Sequence, residues 1–255
     1  TYTKNDSAEV VRLLAKRHKS CLDYAKEFLG RPYVAHTLEC NESEQLVVNL
    51  AELDCTTLVE TAAALYMTSE NGGKTFDDYC RTLRAIRYHN GKINGYPSRM
   101  HYFSEWIDDN CRMGMAEDVG AEGGFPFTAR QKINVHFMSE NPHLYRQLSD
   151  NKALQSEIRK NENTINGKTV NYIPKNLLNL GKDKLTVRDG DIIALVTSKD
   201  GLDISHVGIA AWKNGRLHLL NASSLKHKVV LDSQSLYEYQ KKRGSQLGIR
   251  VIRLR

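Results

Sequence analysis

Glu52-Leu53-Asp54-Cys55-Thr56-Thr57-Leu58-Val59-Glu60 is the stretch from which the fold can be read. An apolar approach ends in an acid, a cysteine follows, and strong helix formers run from Leu58 to Met67. Asp54 is a good N-cap, so the spacing predicts a helix with Cys55 in its first turn. Backbone N–H groups there lack intrahelical partners, and the helix dipole adds partial positive charge. Both effects favour thiolate over thiol, which is how a cysteine becomes a nucleophile. The same position also suits a buried, inert helix cysteine. A base elsewhere in the chain has to decide between the two.

Outward from this stretch, residues 7–29 read as helix, with Ser7 as cap and Val10, Val11, Leu13 and Leu14 as apolar face. A second helical pattern from Cys21 stops at Gly30 and Pro32, and residues 45–50 read as a short strand or extended run. The Asp54-Cys55 helix is expected to end near Gly72-Gly73, and Thr75 to Arg87 forms a further amphipathic helix. Asn90-Gly91 and Asn94-Gly95 break the pattern. An aromatic stretch from Tyr96 to Trp106 then runs into a helix ending near Cys111. Residues 114–128 read as glycine-rich loop, Ile133, Val135 and Phe137 as a strand, and 143–161 as charged helix.

From Lys168 onward the chain changes to short strands: 170–173, 192–196, 204–211, 216–221, 228–231 and 249–254. The expected fold class is α+β, with the Cys55 helix packed on a C-terminal antiparallel sheet. No repeat, low-complexity tract or linker divides the chain. Residues 1–255 are therefore read as one domain with an N-terminal helical extension and a helical insertion over 75–165.

Hydrophobic content of 40% and charged content of 26% are ordinary for a globular protein. No apolar run approaches the ~20 residues of a membrane helix, so an integral membrane protein is not expected. The sequence opens at Thr1 on polar residues without a signal-peptide core, which reads as a mature or trimmed form. The net charge of +6 suits acidic partners, including nucleic acid and anionic wall polymers. The basic residues are dispersed, however, and there is no zinc-finger spacing, phosphate loop or basic-aromatic repeat, which argues against nucleic acid. Five cysteines (Cys21, Cys40, Cys55, Cys80 and Cys111) form no CxxC pair. One reactive thiol plus up to two disulfides would fit, and so would five free thiols. No histidine or acid spacing suggests a metal, and no cofactor is expected.

Of the nine histidines, His206 is best placed to be the base. It lies in Ser205-His206-Val207-Gly208-Ile209, a strand leading to Lys213-Asn214-Gly215-Arg216, and Asn-Gly is a strong hairpin signal. A two-residue loop pairs Lys213 with Arg216 and sets Gly208 opposite Asn221, making Asn221 the diagonal neighbour of His206. Its amide carbonyl would then accept the imidazole N–H and fix the tautomer. A three-residue loop would flip the parity, leaving His206 a core histidine and Asn221 a turn former.

These residues carry a resemblance. Pro32-Tyr33, Asp54-Cys55, Ser205-His206-Val207-Gly208-Ile209 and Asn221-Ala222-Ser223 together resemble the NlpC-type cell-wall cysteine amidases and peptidases. The stretch Gly95 to Phe103 further resembles the N-acetylmuramoyl-L-alanine amidase-like branch. The resemblance implies a papain-like core and an extracytoplasmic (periplasmic or secreted) enzyme acting on peptidoglycan or muropeptide fragments. It also implies a Cys55–His206–Asn221 triad, with Tyr33 beside the oxyanion and Asp54 in the substrate pocket. Many relatives have Ser-Gly after the cysteine and His as third residue; Thr56-Thr57 and Asn221 stand here instead.

The remaining candidates have two readings each. Tyr33 is an oxyanion donor or the anchor of a turn, and Asp54 is a cap alone or a cap whose carboxylate also meets a substrate amine. Arg99 pairs with a carboxylate of the substrate or with one of the protein. Tyr96, His101 and Trp106 would line the groove, while Ser205 is a site residue or a strand residue facing away. The expected activity is hydrolysis of the bond between N-acetylmuramic acid and L-alanine. An endopeptidase cutting the stem peptide after D-Glu and a non-catalytic wall-binding module are the alternatives.

Overall fold

A computed structural model describes residues 1–255. Helix α1 (Lys4–Lys16) starts earlier than Ser7 because Thr3 and Asp6 form a reciprocal capping box. It also stops earlier, since Arg17 turns into the left-handed region at φ 48°. The expected 7–29 helix is thus two helices, the second being α2 (Cys21–Lys26), capped by Ser20. Residues 45–50 do not become a strand. Asp6 Oδ1 takes the Leu50 N–H at 2.9 Å and Arg87 binds the Val47 carbonyl at 2.7 Å, so side chains satisfy groups a ladder would have used.

Helix α3 (Cys55–Glu70) begins where the sequence predicts, and α4 (Phe76–Arg87) follows with Thr75 as cap. Next come α5 (Phe103–Arg112), strand β1 (Ala116–Asp118), strand β2 (Ala129–Lys132), α6 (Phe137–Glu140) and α7 (Lys152–Ile165). Three expectations fail in this region. The 114–128 loop contains β1, which pairs with the last strand. Ile133 to Phe137 is not a strand, because Asn166 takes both the Val135 N–H (2.6 Å) and its carbonyl (2.9 Å), and Phe137 opens α6. The charged helix starts nearer 152 than 143, where Asn151 caps the Leu154 N–H.

The remaining elements are β3 (Thr169–Pro174), α8 (Lys182–Leu185), β4 (Ile192–Thr197), β5 (Ile204–Lys213), β6 (Arg216–Ser223), β7 (Lys228–Leu231), α9 (Leu236–Lys241) and β8 (Gln246–Leu254). They form one antiparallel sheet in the order β2-β3-β8-β4-β5-β6-β7, with β1 on β8. Alternation along its strands sends side chains to two cores. Ile192, Ala194, Val207, Ile209 and Leu220 join the layer made by α1 to α5. Ile193, Leu195, Ala210, Leu219 and Val251 join the layer that contains Leu185 and Leu236. The fold is therefore mixed helix and antiparallel sheet, with α3 packed on β5 and β6. No helix is long and apolar enough to cross a membrane.

Candidate active site

Asp54 Oδ1 accepts the Thr57 N–H at 2.8 Å while Thr57 Oγ1 accepts the Asp54 N–H at 2.9 Å, and this capping box fixes the start of α3. Thr57, a departure from the Ser-Gly pattern, is thus the partner of the cap. Cys55 is the first residue of the helix, and its N–H and that of Thr56 have no backbone partner.

The β5–β6 hairpin has the register read from Asn214-Gly215: both residues take positive φ (50° and 71°) and Lys213 pairs with Arg216. His206 Nε2 lies 3.0 Å from Asn221 Oδ1, and Asn221 is buried. Cys55 and His206 line one cavity, and the Cys55 side chain lies within electrostatic range of the imidazole. Burial alone would push the imidazole toward neutrality. Its contacts with Cys55 and Asn221 outweigh that and hold it above the usual histidine range.

A cavity of about 420 Å³ opens on this cluster. Nine of the ten sequence candidates line it (Tyr33, Asp54, Cys55, Tyr96, Arg99, His101, Trp106, Ser205 and His206), and Asn221 sits behind the imidazole. Tyr33 reaches the cavity through a bridge to Leu53, and its hydroxyl is pushed up by burial and by the nearby Cys55 and Asp54. Ser205 is among the residues of the cavity lining, and its hydroxyl donates to the Leu195 carbonyl at 3.3 Å. Tyr96 and His101 pack with ring centroids 4.4 Å apart and planes tilted by 41°, and His101 Nε2 meets the Tyr96 carbonyl at 3.0 Å. Burial, with the charge of Arg99, pushes His101 down to about 3, so its ring is neutral. Trp106 stacks on Phe103 with planes 7° apart, and its indole N–H is buried without a partner.

Arg99 behaves as the protein-paired reading has it. Only 5% exposed, it binds Glu39 and lies 3.6 Å from Glu44. His36, Leu38, Glu39, Met138, Tyr145 and Asp203 are also on the wall and were not read from the sequence. Only Asp203 carried a local signal, standing just ahead of Ile204-Ser205-His206; it accepts the Ser104 N–H at 2.7 Å. Tyr239 and Arg243, at the end of α9, also lie within electrostatic range of Cys55 and His206, respectively. All five cysteines are free thiols, and no cluster of three His, Cys, Asp or Glu side chains is arranged to hold a metal ion.

The cavity can be set beside known proteins. Among curated protein sequences none matches the chain. A protein of Bacteroides fragilis with a provisional xylanase name is 42% identical, covering 91% of this chain and all of its own, at a TM-score of 0.85. An N-acetylmuramoyl-L-alanine amidase of Bacteroides uniformis is 38% identical over 94% of this chain and 99% of its own, at 0.87. A Legionella pneumophila protein shares the fold at 22% identity and a TM-score of 0.72, over 98% of this chain and 95% of its own. The profile of the AmiA-like, N-acetylmuramoyl-L-alanine amidase-like family matches residues 23–249. The chain belongs to that family.

Proposed function

We propose that the protein is a cysteine amidase, with an NlpC-type papain-like core, that cuts the bond between N-acetylmuramic acid and L-alanine in peptidoglycan or muropeptides. Membership of the amidase-like family supports amide hydrolysis in peptidoglycan. The observation that carries the cysteine mechanism is that His206, hydrogen-bonded to Asn221, shares a cavity with Cys55 and lies within its electrostatic range. In this reading the Cys55 thiolate attacks the carbonyl carbon and the C–N bond breaks. His206 returns the thiol proton to the departing amine, leaving a thioester. A water, deprotonated by His206, then hydrolyses the thioester and restores the thiol. The free N–H of Cys55 and the Tyr33 hydroxyl face the developing oxyanion, and Asn221 keeps the ring in place. Residues 1–255 act as one domain in this reading, placed outside the cytoplasm where the wall is.

The glycanase name of the Bacteroides fragilis neighbour has less support here. Glycosidases need two carboxyl groups facing across the bond. In this cavity Glu39 is bound by Arg99, Asp54 caps α3 and Asp203 binds the Ser104 N–H.

Incubation with muramyl-L-alanyl peptides and mass spectrometry of the products tests the proposal. The expected products are the free sugar acid and a peptide beginning at L-alanine, and Cys55→Ala abolishes them while the circular dichroism spectrum is unchanged. Cleavage after D-Glu would make the enzyme an endopeptidase, and full activity of Cys55→Ala would discard the mechanism.

A further inference from the structure

The irregular segment 35–46 separates two cavities with its first half, residues 35–40. The cavity at Cys55 and a larger groove of about 1050 Å³ share Ala35, His36 and Glu39. Little inside the segment holds it in place. None of its residues is buried, and Glu39 supplies its only backbone N–H that donates to another backbone group, the His36 carbonyl at 3.0 Å. His36 adopts φ 62°, a left-handed conformation uncommon for a residue with a Cβ. Thr37 Oγ1, Glu39 Oε2 and Asn41 Nδ2 are buried without partners, and water would satisfy them if the segment lifted. Such a segment belongs to the locally least stable part of a fold.

What holds it down comes from other elements. Arg146 Nη2 donates to the carbonyls of Glu39 (2.7 Å) and Asn41 (2.6 Å). The Tyr88 hydroxyl donates to Glu44 (2.7 Å) and to the Gln45 carbonyl (3.0 Å), and Thr1 meets Asn41 and Gln45. Arg99 is the buried member: it binds Glu39, faces Glu44, and lies with its guanidinium 5.1 Å from the Tyr96 ring centroid. Two protein carboxylates already face its charge, so it is poorly suited to receive a third from a ligand.

We propose that residues 35–46 are a strap that opens to admit substrate, and that Arg99 is its positioning residue, setting substrate affinity without touching the substrate. The proposal rests on the amidase reading for its kinetic arm. Arg99, Glu39 and Arg146 then act on one equilibrium, and loosening any of them moves the strap toward the open state.

Hydrogen–deuterium exchange of peptides covering 35–46, together with kcat and KM on a muramyl-L-alanyl peptide, tests this in wild type, Arg99→Met, Glu39→Gln and Arg146→Ala. Arg146 is exposed, so its variant still reports if Arg99→Met fails to fold. Each folded variant is expected to exchange about tenfold faster in the strap and, because the open, binding-competent state is more populated, to lower KM roughly three- to tenfold, with kcat within about twofold. Arg99→Met combined with Glu39→Gln is expected to give less than the product of the single effects. Unchanged exchange in all variants overturns the strap. An Arg99→Met defect that disappears on a substrate lacking its carboxylates, with Glu39→Gln silent, overturns the positioning role in favour of direct contact. If wild type turns over no muropeptide, the amidase reading fails, and exchange still decides whether the strap exists.

Discussion

Asn221 gives His206 an acceptor that water has little room to replace, since the asparagine is only 2% exposed. The contact does two things: it orients the ring and helps raise the imidazole above its usual range. A raised value means the imidazolium persists to higher pH, and with it the proton that the proposed mechanism hands to the departing amine. On the alkaline side the rate of the proposed reaction should therefore fall as pH rises through that raised value. Asn221→Ala removes one of the contributions and leaves the ring free to turn. Its basic limb in a kcat/KM profile is expected to move to lower pH, with a loss of about 10²-fold at the optimum. An unmoved limb with an undiminished rate would mean that Asn221 only fills space. At this scale the sequence was informative where partners are close along the chain, as with Asp54 and Thr57, or where one turn fixes them, as with His206 and Asn221. It was uninformative about Arg99, whose partners Glu39 and Glu44 lie 60 and 55 positions away in an irregular segment.

Among elements, the β5–β6 hairpin is the one on which the site depends most. Gly208, two residues beyond His206 on β5, lies where the two strands approach closely. A Cβ there would stand 2.7 Å from the Leu220 carbonyl and 2.8 Å from the Leu219 side chain. Gly208→Ala is expected to cost roughly 1–3 kcal/mol by overpacking and to lower activity by shifting His206 from Asn221. Chemical denaturation and a rate measurement at one pH check both effects, and a variant as stable and active as wild type would show that the strands separate freely. The start of α5 supplies a second prediction. Glu105 Oε2 accepts the N–H groups of His101 (2.9 Å) and Tyr102 (3.1 Å), both on the cavity wall. Burial, helped by Asp203 and Glu162, pushes this carboxyl up from 4.5 to about 7 despite those bonds. The folded state therefore holds the proton more tightly than the unfolded chain. The resulting stability is complete below about 4.5 and is lost as pH rises toward and through about 7. Glu105→Gln, which stays neutral and can still accept, is expected to flatten the fall in Tm across that window, a fall of order 5–10 °C in wild type. Equal slopes for the two proteins would remove Glu105 as the cause.

Over the whole molecule, the strands after residue 168 were legible one by one from their alternation, whereas their order was not. Nothing local says that β8, the last strand, lies between β3 and β4 and also carries β1. That placement makes Arg250 the link between the sheet and the inserted helices. Only 1% exposed, it donates to Ser104 Oγ on α5 at 3.0 Å and to Asp118 Oδ2 on β1 at 2.7 Å. A buried charge of this kind is stabilising only while its partner remains, because breaking one side leaves the other without compensation. Arg250→Met leaves Asp118 unpaired and is expected to cost about 3–5 kcal/mol, lowering Tm by roughly 10 °C in a chain of this size. Replacing both members, as Arg250→Met with Asp118→Asn, should cost less than the sum of the single losses, because the stranded charge is gone. Differential scanning calorimetry of the four proteins reads this directly. Strictly additive shifts would show that the two groups contribute independently.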